Sequence, residues 1–529
     1  MSFYYLAAIE TERKNYAEAL EFIEKGLVKN AHNIKARGLK AVILRKMGRY
    51  EEAKAWIEEN LRTDPFDYVS GFEKTIPEGG SENGSENCLD ELNALMRGFK
   101  ENYLQTARDY AEAGCFEEAE AVLREWPENA PMLMYYRGYY LAKMGRTEEA
   151  LAAYREAERC SSLYCFPNKL EDITVLESAL QTYPEGAKAY YYLGSLYYDK
   201  LQFDLAADLW EQSEKRDDSF PTVHRNLALA YYNKQGDPET ALREMEKAFA
   251  LDETDARVFL ELDQLYKKLG VDFAARLEKY EAHPELPKQR DDLMTEYVTL
   301  LNQLEMYEKA YETIMSHTFR PWEGAEGRIT AQYKTALVEM AKDRIKENDC
   351  AEAERLLERA LVYPENLGEG KLEGTKDNNI YYYLGIVKRE LGKKEESEKA
   401  LHLAELGDNE PAGMMYYYDQ PADMILYKGL AKRELGKTRE AYACFNKLLD
   451  YGEQHLNDEM RIDYFAVSLP DFLIFEDDLN RKNKAHCYYL MGLSALGLGE
   501  KDKAEKHFQK SLEYDFNHQN SRIYLKMTI

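Results

Sequence analysis

The chain has 529 residues, with 97 acidic against 70 basic side chains and a net charge of −27. That acidic excess excludes nucleic acid and anionic membrane surfaces as expected partners. No apolar run approaches a membrane span, and the opening MSFYYLAAIETERKNY has neither the basic start nor the apolar core of a secretion signal, so a cytoplasmic location is expected. The seven cysteines (Cys88, Cys115, Cys160, Cys165, Cys350, Cys444 and Cys487) form no CxxC pair, which suits a reducing compartment. The nine histidines form no HExxH or Cys/His ligand set, so neither a metal nor a cofactor is expected.

In chain order, residues 1–72 hold two helix hairpins, with Tyr16 and Tyr50, Ala19 and Ala53, and Leu27 and Leu61 each paired one period apart. Met1 stands only a few residues before Ala7, where the helices of the first hairpin should cross. The expectation is therefore that a preceding segment or a partner covers a stack end with no capping helix. Residues 73–90, beginning EKTIPEGGSENGSEN, are polar, glycine-rich and aperiodic, and read as a mobile loop. A central stretch, 91–316, resumes with Tyr103 to Trp126 and Tyr135 to Ala157. It then adds a supernumerary helix, Leu170 to Tyr183, with Leu176, Ala179 and Leu180 on one face and Pro184 closing it.

The clearest unit follows, from Tyr190 to Pro221. Tyr190, Leu193, Gly194 and Tyr197 fall on one helical face, and Phe203, Ala206, Trp210 and Ser213 on a second. Gly194 and Ala206 are small because two helices cross there. Taking that alanine as a register mark, copies recur at Ala19, Ala53, Ala119, Ala150, Ala206, Ala241, Ala275, Ala310, Ala353, Ser397, Ala441 and Ala504, at a step of about 34 residues where nothing is inserted. Gly48, Gly114, Gly145, Gly236, Gly270, Gly392, Gly436 and Gly499 sit at the break between helices, where a left-handed residue closes the first.

Through residues such as Tyr190, Leu193, Gly194, Tyr197, Ala206 and Pro221 the chain resembles the tetratricopeptide repeat family over most of its length. The resemblance implies an all-α fold, a right-handed superhelical solenoid of about twelve stacked hairpins. It also implies that Tyr135, Tyr139, Tyr191, Tyr198, Arg225, Tyr232, Tyr382, Arg389 and Arg433 on first helices face a groove for a protein partner. The paired lysine and asparagine pattern that clamps a C-terminal carboxylate in some members is not evident, so chaperone-tail binding is not expected.

Residues 317–529 depart from the period. Insertions fall between the second helix of one repeat and the first of the next: HTFRPWEGAEGRIT, YPENLGEGKLEGTKDNN, GDNEPAGMMYYYDQPADM and a stretch containing IDYFAVSLPDFLIFEDD. Their aromatic residues, acids, glycines and prolines suit structured loops along one edge of the stack. Trp322 with Arg320, Glu323, Glu326, Glu365, Asn366, Glu369, Lys371, Tyr416, Tyr418, Asp419, Gln420 and Asp471 would make an aromatic platform ringed by charge and amides, the chemistry of a sugar site. The bland alternative is that these loops pack on one another and cap the edge. A rival from another class is a glycan-processing enzyme using their carboxylates. GEGKLEGTK lacks the spacing of a phosphate loop. The tail from Ile523 reads as a cap.

The loops PWEGAEG, PENLGEGK, YYYDQP and DYFAVSLPDFL resemble those in the C-terminal helical half of large bacterial proteins. In those proteins a β-rich N-terminal domain, thought to be carbohydrate-related, precedes the repeats. The resemblance implies a non-catalytic scaffold that binds a protein partner or domain, with the edge loops contributing to a carbohydrate-related ligand site.

Overall fold

The structure, a computed structural model, describes residues 2–76, 86–320, 325–414, 421–461 and 474–528. Among them there is no strand, and twelve helix hairpins follow one another from Ser2–Glu12 with Tyr16–Lys29 to Leu479–Leu498 with Lys501–Tyr514. Single helices Tyr68–Glu73, Glu86–Leu95, Leu170–Thr182 and Gln519–Leu525 supplement them. The chain divides into two compact units, Met1–Val223 and His224–Ile529.

In the most regular hairpins a glycine of the first helix meets a large side chain of the second. A Cβ on Gly194 would lie 2.7 Å from Trp210 Cδ1 and 3.1 Å from the Ala206 carbonyl oxygen. Gly138 stands in the same relation to Tyr154, Gly385 to Leu401, Gly429 to Phe445 and Gly492 to Phe508, all with distances under 3.0 Å. Any larger residue would force the helices apart, at a cost of about 1–3 kcal/mol for an overpacked core. The second-helix marks Ala19, Ala119, Ala150, Ala206, Ala241, Ala310, Ala353, Ala441 and Ala504 are fully buried. At the one serine, the Ser397 hydroxyl donates to the Gly385 carbonyl at 2.6 Å, so the polar substitution is satisfied across the crossing.

Two adjacent hairpins break the pattern. In the first, the helix Pro221–Ala230 runs into a π-turn, Tyr231–Gln235, that absorbs an extra residue and leaves Ala228 and Ala241 both buried in one core. In the second, the extra residue lengthens the turn before Phe273–Ala282, and the expected mark Ala275 is exposed. Arg276 takes the buried slot instead. Its Nε and Nη2 donate to Asp263 Oδ1 and Oδ2 at 2.7 and 2.8 Å, and the Tyr280 hydroxyl donates to Asp263 Oδ2 at 2.9 Å. Both charged side chains are almost wholly buried, so a bidentate ion pair replaces a contact between small residues.

All eight expected glycines have left-handed backbone, with φ from 66° at Gly236 to 83° at Gly499. Four hairpins without glycine put Lys14, Leu201, Glu305 and Asn348 in the same conformation, at φ 61–63°. Sequence reading also placed Glu73 at the start of a loop. Instead it ends the helix Tyr68–Glu73 with its side chain buried, accepting from Arg45 Nε at 2.6 Å, Arg45 Nη2 at 3.0 Å and the Tyr110 hydroxyl at 2.9 Å. The helix Glu86–Leu95 likewise begins inside the predicted loop, whose remainder, 77–85, lies outside the described residues.

The second unit folds back on itself at its end. Asn517 donates to the Lys267 carbonyl and its own carbonyl accepts from Gln303, both at 2.8 Å. Gln519 bonds Gln332, and the Tyr524 hydroxyl donates to Asp423 at 2.9 Å. No helix among the described residues is long and apolar enough to cross a membrane.

Two outcomes follow for stability. Leu201→Gly removes a side chain from a left-handed position, and urea unfolding should show a gain of about 0.5–1 kcal/mol, with a smaller gain for Asn348→Gly because asparagine tolerates that conformation. Arg276→Ala leaves Asp263 buried without its charge partner and should cost about 3–5 kcal/mol, whereas Asp263→Gly with Arg276→Ala restores the small-residue crossing and should recover most of it. A double variant no more stable than Arg276→Ala would show that the ion pair is not a substitute for that crossing.

Candidate functional site

Two regions carry the residues singled out from sequence: the edge loops of the second unit and the faces of the first helices. In the edge loops, the 3-10 turn Glu365–Leu367 packs beneath the helix Tyr307–Met315. Asn366 holds the contact, donating through Nδ2 to the carbonyls of Ile314 and His317 at 2.8 and 2.9 Å, while its own carbonyl accepts from Phe319 N at 2.8 Å. The last carbonyls of a helix have no partner within it, and here an asparagine side chain supplies one. Asn378 repeats the device on the Ala404 and Leu406 carbonyls, and Asn483 on that of His455.

The opposite need, donors at a helix start, is met by Glu369. Its carboxylate accepts from Gly327 N at 3.0 and 3.2 Å, at the head of the helix Arg328–Lys346, and lies 3.5 Å from the Thr330 hydroxyl. Burial, with Glu326 as a like-charged neighbour, raises the Glu369 carboxyl above the usual range. Lys371 donates to the Leu361 carbonyl at 2.8 Å and pairs with the buried Asp377 at 2.6 Å, which Lys334 approaches at 3.3 Å. Arg320 is anchored by its backbone, its N–H donating to Asp291 Oδ2 at 2.7 Å, while the side chain is exposed. Glu326 and Glu365 are exposed.

Successive insertions thus reach one another. The first meets the second through Asn366 and Glu369, and the second meets the third where Lys376 pairs with Asp408 at 2.9 Å. Trp322, Glu323, Tyr416, Tyr418, Asp419, Gln420 and Asp471 lie outside the described residues.

On the first-helix faces of the first unit, Tyr135 is buried with its hydroxyl donating to Glu158 at 2.9 Å, and Tyr191 packs edge-on against Phe220. Tyr139 and Tyr198 are half-buried, with Lys143 over the former ring and Phe203 and Trp210 against the latter. In the second unit, Arg225 makes a bidentate pair with the buried Glu261 at 2.6 and 2.7 Å. Arg389 pairs with Glu434 at 2.6 Å, and Arg433 donates to the Gly497 carbonyl at 2.9 Å. Tyr382 lies among Tyr383 and Tyr427, its hydroxyl pushed up to about 12 by burial. Tyr232 meets Phe475 of the same chain, edge-on at 5.1 Å. Sequence reading missed that last contact because nothing in a repeat pattern says which distant segment lies on a face.

Family models of the tetratricopeptide repeat match residues 10–70, 104–163, 194–256 and 485–518. Among solved structures, the tetratricopeptide domain of P58(IPK) is 12% identical, covering 94% of this chain and 97% of that one with a TM-score of 0.23. MamA 41-end from Desulfovibrio magneticus RS-1 is 23% identical over 36% of this chain and 97% of its own, with a TM-score of 0.22. TTC0263, a thermophilic tetratricopeptide protein of Thermus thermophilus, is 18% identical over 38% and 98%, with a TM-score of 0.23.

Replacing Asn366 tests the helix-end reading. Asn366→Ala leaves the His317 carbonyl without its donor and the Ile314 carbonyl with only the His317 N–H, and should cost about 2 kcal/mol in urea unfolding. Amide exchange should accelerate across residues 314–320, with little change in the first unit.

Proposed function

From a chain that carries tetratricopeptide repeats, we propose an interaction scaffold that binds a segment of a protein partner on the first-helix face of the first unit, with Tyr139 and Tyr198 as anchors. The supporting observation is that these two rings, unlike Tyr135 and Tyr191, are only half-buried, on the helices Pro131–Lys143 and Lys188–Asp199. Tyrosine on a rigid helix gives a large amphipathic contact with little entropy to lose. The acidic balance of the chain favours a partner segment of net positive charge and association weakened by salt. A partner lying against the first hairpin belongs to the same reading, since Tyr5, Leu6 and Ile9 of the helix Ser2–Glu12 are exposed apolar residues.

A second reading places a carbohydrate-related ligand, or glycan hydrolysis by carboxylates, at the edge loops. Its support is the loop resemblance and one observation, the raised Glu369 carboxyl beside Glu326. A carboxyl raised above its ordinary value is what a general acid requires, and Glu369 is shifted in that direction.

Screening the purified chain against a displayed library of random peptides tests the first reading. Basic peptides should be enriched, and Tyr139→Ala with Tyr198→Ala should weaken them at least about tenfold while the melting temperature holds. Enrichment indifferent to both substitutions would move the interface elsewhere. Release of sugar from oligosaccharides, lost in Glu369→Gln, would establish the second reading.

A further inference from the structure

The residues Ile474–Asp477 lie without helix on the first-helix face of the second unit, the chain bending at Ile474 and Phe475, and they are held as a bound peptide is held. Asn233 grips the backbone on both sides of Phe475. Its Nδ2 donates to the Ile474 carbonyl at 2.8 Å and its Oδ1 accepts from Glu476 N at 2.9 Å. A side-chain amide that satisfies one carbonyl and one N–H two residues apart recognises the backbone whatever its side chains are. The specificity lies beside it. Phe475 is 1% exposed, packed on Tyr232 and within the core of the hairpins that follow His224. The two acids after it meet two cations, Glu476 with Lys234 and Asp477 with Lys268, and Lys268 also donates to the Glu476 carbonyl at 3.2 Å.

The receiving surface departs from the regular repeat at this place. Tyr232, Asn233 and Lys234 all belong to the π-turn Tyr231–Gln235, and such turns commonly re-aim side chains at functional sites. Without the extra residue there, the amide, the ring and the cation would project on a different helical phase. Lys268 comes from the end of the neighbouring first helix, Ala256–Lys268, so the site spans two hairpins.

We propose that this surface is a peptide-binding site for a protein segment with an aromatic residue followed by two acids, and that Ile474–Asp477 occupies it in cis as an internal competitor. It is distinct from the face assigned above to the first unit, and neither depends on the other. A tethered segment acts at an effective concentration in the millimolar range, so a partner with the same chemistry is suppressed until the internal segment is released. Asp478, whose carboxylate accepts from Arg481 N at 3.0 Å and starts the helix Leu479–Leu498, marks the point at which release would end.

The test uses the full chain and a fluorescein-labelled synthetic peptide of residues 474–480, read by anisotropy. Wild type should bind it weakly, and Phe475→Ala at least about tenfold more tightly, because the competitor has lost its anchor. Adding Asn233→Ala to that chain should abolish the gain, and a peptide with alanine in place of its phenylalanine should not bind. Glu476→Ala, at a largely exposed side chain, gives a milder release that preserves the fold should Phe475→Ala unfold, and it should show a smaller gain in the same direction. Folded Phe475→Ala or Glu476→Ala chains that bind the peptide no better than wild type would overturn the proposal, as would a gain that survives Asn233→Ala. Either result would leave Ile474–Asp477 as a fixed part of the core.

Discussion

Close approach of two helices at small residues is the constraint on which the chain rests. Where Gly194 meets Trp210 and Ala206, or Gly429 meets Phe445, the missing side chain on one helix makes room for a large one on the other. Each hairpin is then a wedge of fixed geometry, and stacking covers the apolar faces that a lone hairpin would expose. The departures obey the same constraint. Ser397 bonds across the crossing, and Asp263 with Arg276 fills it with charge that is fully paired. A buried ion pair gains little over apolar packing, so its retention fits a crossing that cannot accept an unpaired group rather than a source of extra stability.

This explains what was legible beforehand. Small residues at crossings and glycines at left-handed turns are forced by local geometry, so the hairpin count, the eight glycine turns and the inserted helix at Leu170–Thr182 could all be read from spacing. Ala275 misled because an added residue in a turn shifts the helix by one position, and spacing alone cannot say whether a turn or a π-turn absorbs it. Glu73 misled because its partners, Arg45 and Tyr110, come from other hairpins. The same holds for the candidate sites. That Asn366, Glu369 and Lys371 sit in structured loops was readable from composition. Their bonding to the ends of particular helices was not, since it depends on how neighbouring repeats stack.

The edge loops and the occupied face show two uses of one kind of group. Asn366, Asn378 and Asn483 turn their amides to carbonyls that a helix end leaves bare, and the stack is tied edge to edge. Asn233 turns both ends of its amide to a segment with no helix of its own. The first arrangement joins permanent neighbours. The second has the form of an encounter between receptor and ligand, although both belong to one chain.

That arrangement has a consequence in time. Asn233 and its partner at Ile474 are separated by 241 residues. A ribosome adding roughly 5–20 residues per second needs about 10–50 s to cover that distance. Through most of that interval the π-turn, Lys234 and Lys268 are already made while the segment that covers them is not. Each new molecule therefore passes through a stage in which the site stands uncovered, and whatever meets it then does so with no competitor from the same chain.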